Sequence, residues 1–217
     1  MKNALILLQG VFFITFVSLQ FIYQSNMKGV YIFLADGFEI TEALTTVNML
    51  RRGGVNVRTV SIYDDKRVMS SNRIPVIADM AFGEFKASTT FGPCLLSDVM
   101  IFPGGMPGSS ELASFDKLMK IMQEHYAEGG TVAAICAAPS VVLGLLPNLE
   151  GKKMTCYDGF EQALIDKGVN YCKEGVVVDG NIITGRGPGW ALEFGLAILA
   201  HLKGAETAAR VKKELML

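Results

Sequence analysis

The sequence is poor in the features that would assign it at a glance. Neither sign of charge dominates, with 20 Lys and Arg against 21 Asp and Glu in 217 residues. No basic run stands out, so nothing marks a nucleic-acid footprint, and a small-molecule or protein partner is expected instead. Histidine is scarce, with only His125 and His201. The four cysteines, Cys94, Cys136, Cys156 and Cys172, make no C-x-x-C pair and no zinc-type spacing, so neither a disulfide framework nor a metal site is indicated. A phosphate-binding signature, internal repeats and low-complexity linkers are also lacking, and no cofactor is expected. The length suffices for one substantial α/β domain but not comfortably for two.

What is present begins with a contrast. From Ala4 to Tyr23 the chain is almost wholly apolar behind a single lysine, Lys2, which is the composition of a signal peptide or membrane anchor. Against that, no A-x-A cleavage site follows, and Gln9, Ser18 and Gln20 weaken a span. A start assigned too early is a further reading, because Met27-Lys28 opens a clean strand, and a genuine structural element is another. Residues 1–26 are therefore set apart, and residues 27–217 are expected to form one domain. That domain would be cytoplasmic if the chain starts at Met27, and exported or membrane-bound only if the leader is real.

Beyond the leader, apolar strands alternate with amphipathic helices. "GVYIFLA" (29–35) reads as a buried strand. The segment "EITEALTTVNMLRRGG" follows as a helix with basic residues in its last turn and a glycine stop. "VNVRTVSI" is the next strand, and "VMSSNRIPVIAD" predicts short strands interrupted by Pro75. "SDVMIFPGG" is a strand ending in a tight turn, and "SFDKLMKIMQEHYAEGG" a helix. Strand "TVAAI" and helix "APSVVLGLL" flank Cys136. Later come strand "KKMTC", a short helix around "GFEQALIDKG", a hairpin turning at Asp179-Gly180-Asn181, a helix from Pro188 to Leu202 and a last amphipathic helix. This alternation implies a mostly parallel sheet with helices on both faces, and in such sheets sites form at the carboxyl ends of strands.

Chemistry-bearing residues fall at those ends. Cys136 sits where a strand gives way to a helix, so free amides there would favour a thiolate, and a sharp turn among Ala134, Ala137 and Ala138 would present the side chain outward. The opposing reading, a small buried core thiol, stays open on pattern alone. Pro103-Gly104-Gly105 ends a strand expected to neighbour that of the cysteine, and its amides could hold an oxyanion. A tight turn would equally need those glycines. Of Glu39 and Glu42, one is expected to serve the cysteine and the other the helix dipole. Arg186 could orient an anionic substrate, although tying down a loop is the favoured role. Both histidines are expected on helix surfaces or at interfaces.

The motifs "LADGFEITEA", "MLRRGGVNV", "IFPGG", "AAICAAPSVVL" and "TGRGPGWALEFGLAI", in this order, span residues 28 to about 212. Together they resemble the ThiJ/PfpI superfamily and, within it, the DJ-one branch of YajL-like and Parkinsonism-associated deglycase-like proteins. The resemblance implies a flavodoxin-like three-layer α/β sandwich, a homodimer and a reactive cysteine, matched by Cys136. Glu42 matches the glutamate that hydrogen-bonds this cysteine, Gly105 and Ala137 match its backbone donors, and Arg73 and Arg52 match basic residues near the site and dimer surface.

One departure is Tyr157, which stands where some members carry a histidine, so a Cys-His mechanism is in doubt. Ala137 directly after the cysteine argues against a peptidase, and the glycine surround and His-x-Glu of glutamine amidotransferases are missing. The implied functions are glutathione-independent glyoxalase or deglycase activity on a small 2-oxoaldehyde or glycated substrate, or, without catalysis, a redox-sensing chaperone using the same thiol.

Overall fold

The computed structural model describes residues 25–26, 28–87, 90–91 and 94–217; the apolar stretch from Ala4 to Tyr23 lies outside them. Among the described residues no helix is long and apolar enough to cross a membrane. In chain order the elements are β1 (Val30–Leu34), α1 (Ile40–Arg52), β2 (Val57–Ser61), β3 (Arg67–Met69), β4 (Pro75–Ile77), β5 (Met80–Ala81), α2 (Phe82–Ala87) and β6 (Val99–Phe102). There follow α3 (Gly108–Ala113), α4 (Asp116–Ala127), β7 (Thr131–Ile135), α5 (Ala138–Val141), β8 (Lys153–Met154) and α6 (Gln162–Ile165). The chain ends with β9 (Asn170–Tyr171), β10 (Val176–Asp179), β11 (Ile182–Gly185), α7 (Ala191–Lys203) and α8 (Ala205–Glu214).

Strand β1 is buried at every position, and its alternate side chains serve opposite faces as the two-residue repeat demands. Tyr31 and Phe33 pack with Phe85, Met100 and Phe102. Ile32 and Leu34 pack with Val47, Leu50, Ile101 and Leu199 on the other side. A strand wetted on neither face needs no polar position, which is why it reads as an unbroken apolar run. The main sheet has seven strands in the order β10-β11-β7-β6-β1-β2-β5. Only the β10–β11 hairpin is antiparallel; the other neighbours pair in parallel. Helix α4 covers one face through Leu118, Met119 and Met122, and α1 and α7 cover the other. The fold is a flavodoxin-like α/β sandwich.

Helices α1 and α7 approach closely because Gly195 has no side chain: a Cβ there would stand 2.9 Å from Met49 Cβ. That contact fixes the path of α1 and so the position of Glu42 near its start.

The outcome departs from expectation in places. Pro75 does not interrupt a strand but begins β4, which pairs antiparallel with β3 at Met69; the first position of a short strand tolerates its missing N–H. The helix after Cys136 is a single α turn of four residues followed by a 3-10 turn at Leu143–Leu145. The later helix starts at Ala191, after a 3-10 turn at Pro188–Trp190. Helices α2 and α3, six residues each, are too short to show a helical period in sequence.

Phe102 is wholly buried and stacks on Phe33 at 5.5 Å between ring centroids. Phe102→Ala should therefore lower unfolding free energy by about 3–5 kcal/mol. Ile165→Ala, at a half-exposed position of α6, should cost less than about 1 kcal/mol. Urea midpoints of the two variants check the contrast.

Candidate active site

Strands β1, β6 and β7 lie side by side, and their carboxyl ends lead respectively to α1, to Pro103-Gly104-Gly105 and to Cys136. The middle turn is thus held between the start of α1 and the cysteine. Glu39 and Glu42 take the separate roles that one acid of each kind required. The Glu39 carboxylate caps α1 by accepting from the Glu42 amide at 2.6 Å. Glu42 turns inward, wholly buried, and its Oε2 accepts from the Gly104 amide at 2.7 Å. The Gly104 carbonyl in turn accepts from the Glu39 amide at 2.8 Å. Glu42 Oε1 has no hydrogen-bond partner, and the polar side chain that acts on the carboxyl is the Cys136 thiol.

Gly104 is glycine because a Cβ would lie 2.5 Å from Cys136 Cβ and 2.7 Å from Glu42 Oε2. Any side chain there would wedge the pair apart. Gly105 has φ +89° and is equally hemmed in, with a Cβ falling 2.5 Å from both Glu39 N and Gly37 O.

Cys136 occupies the left-handed region at φ +67°, a conformation costing a non-glycine residue of order 1–3 kcal/mol. Two backbone bonds hold it there: its amide donates to Gly185 O at 2.9 Å, and its carbonyl accepts from the Tyr157 amide at 2.8 Å. The Gly105 and Ala137 amides bond the sulfur and favour its anion.

The expected helix-lowered thiol pKa nevertheless gives way. One turn of α5 supplies little dipole, and burial, then the Glu42 charge, push the Cys136 thiol up to about 12. Burial likewise raises Glu42 to about 7, against the opposing pull of the bonds from Cys136 and Gly104. The two groups titrate as a pair, losing one proton near neutrality and the second only in strong alkali. Across the range between, the pair holds a single proton.

The other sequence candidates are placed differently. Tyr157 lies beside the cysteine through its backbone, with its ring half exposed. Arg186 is engaged by Asp158 through Nε at 2.9 Å and Nη2 at 2.8 Å, the loop-tying role. Asp158 also meets Lys173 at 3.2 Å. Arg73, at φ +61° in the β3–β4 turn, is exposed and its side chain bonds neither member of the pair. Arg52 ends α1, bonding Asn48 at 3.3 Å, about 15 Å along the helix from Glu42.

His125 is not on a surface. It is 2% exposed, with Nε2 donating to Thr131 O at 3.0 Å and Nδ1 facing Cys94 Sγ at 3.2 Å. Gly130 makes room for it, since a Cβ there would overlap the ring. Two features escaped the sequence reading: the Asp158 tie, and the side of the site formed by Trp190 after "RGPG". Among the described residues no cluster suited to a metal ion occurs.

This arrangement of strand ends, glycine turn and strained cysteine has relatives. A family model, DJ-1/PfpI, matches residues 28–201. The chain belongs to the DJ-1/PfpI family. The Arabidopsis thaliana Protein DJ-1 homolog B is 34% identical over 193 residues, covering 89% of this chain and 42% of that protein. The chain thus spans less than half the length of that relative. A Caenorhabditis elegans protein named glutathione-independent glyoxalase DJR-1.2 is 30% identical, with 82% of this chain and 90% of the relative covered. The crystal structure of Drosophila melanogaster DJ-1beta superimposes with a TM-score of 0.78 at 31% identity, covering 88% of this chain and 98% of that one.

The raised Glu42 has a consequence for stability. Its folded pKa exceeds the ordinary 4.5, so as pH rises the unfolded chain releases this proton first. Stability falls between about pH 4.5 and about 7 and is level above. Relative to Glu42→Gln, the wild-type protein should lose about 3 kcal/mol across that window. Urea unfolding of both proteins at a series of pH values measures it, and parallel curves would show a carboxyl that titrates as in water.

Proposed function

We propose that the protein is a cysteine-dependent, glutathione-independent glyoxalase that converts 2-oxoaldehydes to 2-hydroxy acids, with early glycation adducts as a related substrate class. The observation that carries this is the buried Glu42 carboxyl beside the Cys136 thiol, which gains and loses its proton at about 7. In the singly protonated pair the thiol proton passes to Glu42 as sulfur attacks the aldehyde carbon, giving a hemithioacetal. The Gly105 and Ala137 amides, already directed at the sulfur, are placed to steady the new oxyanion. Glu42 gives its proton to that oxyanion and, as a carboxylate again, moves the proton from the former aldehyde carbon to the neighbouring carbon, while the hydroxyl proton passes to the adjacent oxygen; this leaves a thioester that water hydrolyses. One carbon is oxidised and its neighbour reduced, so only water is consumed. The relative named as a glyoxalase supports the same chemistry.

Purified protein given methylglyoxal should form lactate, with kcat/KM rising with pH around a midpoint near 7 as Glu42 loses its proton. Cys136→Ser should abolish the product, and Glu42→Gln should lower kcat by about 10²–10⁴. Lactate formation untouched by either substitution would sink the mechanism.

A second use of the same thiol is favoured by one feature. Cys136 is partly accessible while Cys94 and Cys156 are buried, and a protonated Glu42 can donate to an oxidised sulfur. In this redox-sensing alternative, peroxide adds two oxygens at Cys136, each delivered with loss of water. Mass spectrometry after mild peroxide should find sulfinic acid first at Cys136; prior oxidation at Cys94, Cys156 or Cys172 counts against it. A homodimer belongs to the reading too, and exposed Ile74 and Ile77 on the β3–β4 hairpin offer apolar surface for it.

A further inference from the structure

The two backbone bonds that hold Cys136 also set the walls of a groove. Its amide is bonded to Gly185 and its carbonyl to Tyr157. The segments leaving those anchors, Tyr157-Asp158 on one side and Arg186 to Trp190 on the other, enclose about 360 Å³. The backbone of Cys136 is thus tied to the start of both walls.

Both aromatic walls are braced. The Tyr157 ring packs edge-on to Phe160 at 6.5 Å between centroids and lies against Gly187, where a Cβ would be 3.2 Å from it. Trp190 covers Gly175, which has no room for a Cβ beneath the indole, and the Gly175 carbonyl also accepts from the Arg186 amide at 2.9 Å. Even so, Tyr157 is 48% exposed and Trp190 43%. Two braced rings left open to water next to the cysteine's backbone anchors present flat apolar faces on which another ring can stack. The ionic tie below them sets Arg186 and Lys173 against Asp158 and holds the Arg186 wall in place.

We propose that this groove receives the substituent of the 2-oxoaldehyde, and that Tyr157 and Trp190 select substrates in which that substituent is an aromatic ring. The inference rests on the glyoxalase reading and names its substrate class: aryl 2-oxoaldehydes, converted with one water to aryl 2-hydroxy acids.

Trp190 is the only tryptophan in the chain, so intrinsic fluorescence reports the groove directly and needs no variant. Titration with mandelate, the aryl product, should give a saturable change at a concentration about tenfold lower than lactate requires. Tyr157→Ala, which keeps the backbone bond to Cys136, should weaken the mandelate response by about tenfold. In turnover, the ratio of kcat/KM for phenylglyoxal over methylglyoxal should be about ten or more in initial-rate assays, and should fall toward one in Tyr157→Ala.

Equal responses to mandelate and lactate, or a ratio that Tyr157→Ala leaves unchanged, would overturn the assignment while leaving lactate formation from methylglyoxal intact. Turnover of neither aldehyde would instead remove the glyoxalase reading, and the fluorescence comparison would still decide what the groove prefers.

Discussion

The position of one buried carboxyl governs the rest of the site. Glu42 has no solvent exposure, and a carboxylate in such a place is expensive unless it is protonated or bonded. The Gly104 amide satisfies one oxygen and the other has no partner, so α1, the glycine turn and the end of β7 must keep their spacing for the group to be tolerated at all. Gly104 enforces that spacing by having nothing where a side chain would strike both Cys136 and Glu42. Gly195 enforces it from behind, by letting α7 press on α1 at Met49. The geometry of the candidate site is therefore a consequence of sheet order: β6 lies between β1 and β7, which brings those three strand ends together.

The strained conformation of Cys136 follows from the same order. Its amide faces β11 and its carbonyl faces the segment entering α6, and both bonds are short. Two good backbone bonds together offset a left-handed φ of order 1–3 kcal/mol. The side chain is thereby left at the margin of the core cluster that buries Ile135, on the side of Glu42. A cysteine in extended conformation at this position would continue the strand and bury itself, which is the inert alternative that sequence pattern alone left open.

Much of this was legible in the sequence because parallel strands announce themselves as unbroken apolar runs, and because glycines after a strand mark close approach. The strand order placing "IFPGG" beside "TVAAIC" is of that kind, as is the division of labour between Glu39 and Glu42, although which acid took which role needed the structure. What could not be read was short or non-local. The single turn of α5 defeats an argument from helix dipoles that assumed a longer helix. His125 looked like a surface residue since Gly130, which clears its space, is five positions away and reads only as a helix stop. Trp190 and Tyr157 are 33 positions apart, and nothing in their spacing predicts a shared groove.

Among the described residues the Cys136 sulfur bonds one titratable group, Glu42, with backbone amides completing its surroundings. Tyr157 supplies no imidazole, so in the proposed reaction acid and base are the same carboxyl at different moments. This is workable only because that carboxyl is buried: in water it would be ionised at neutral pH and unable to give a proton back. The burial that tunes Glu42 raises the thiol as well, so a standing thiolate is not what the site stores. It stores a proton on a short path between sulfur and oxygen. In the proposed reaction the nucleophile is produced as the proton moves, at the moment a carbonyl carbon is there to be attacked. Such a design keeps the cysteine quiet toward solvent and ties its reactivity to occupancy of the space beside it.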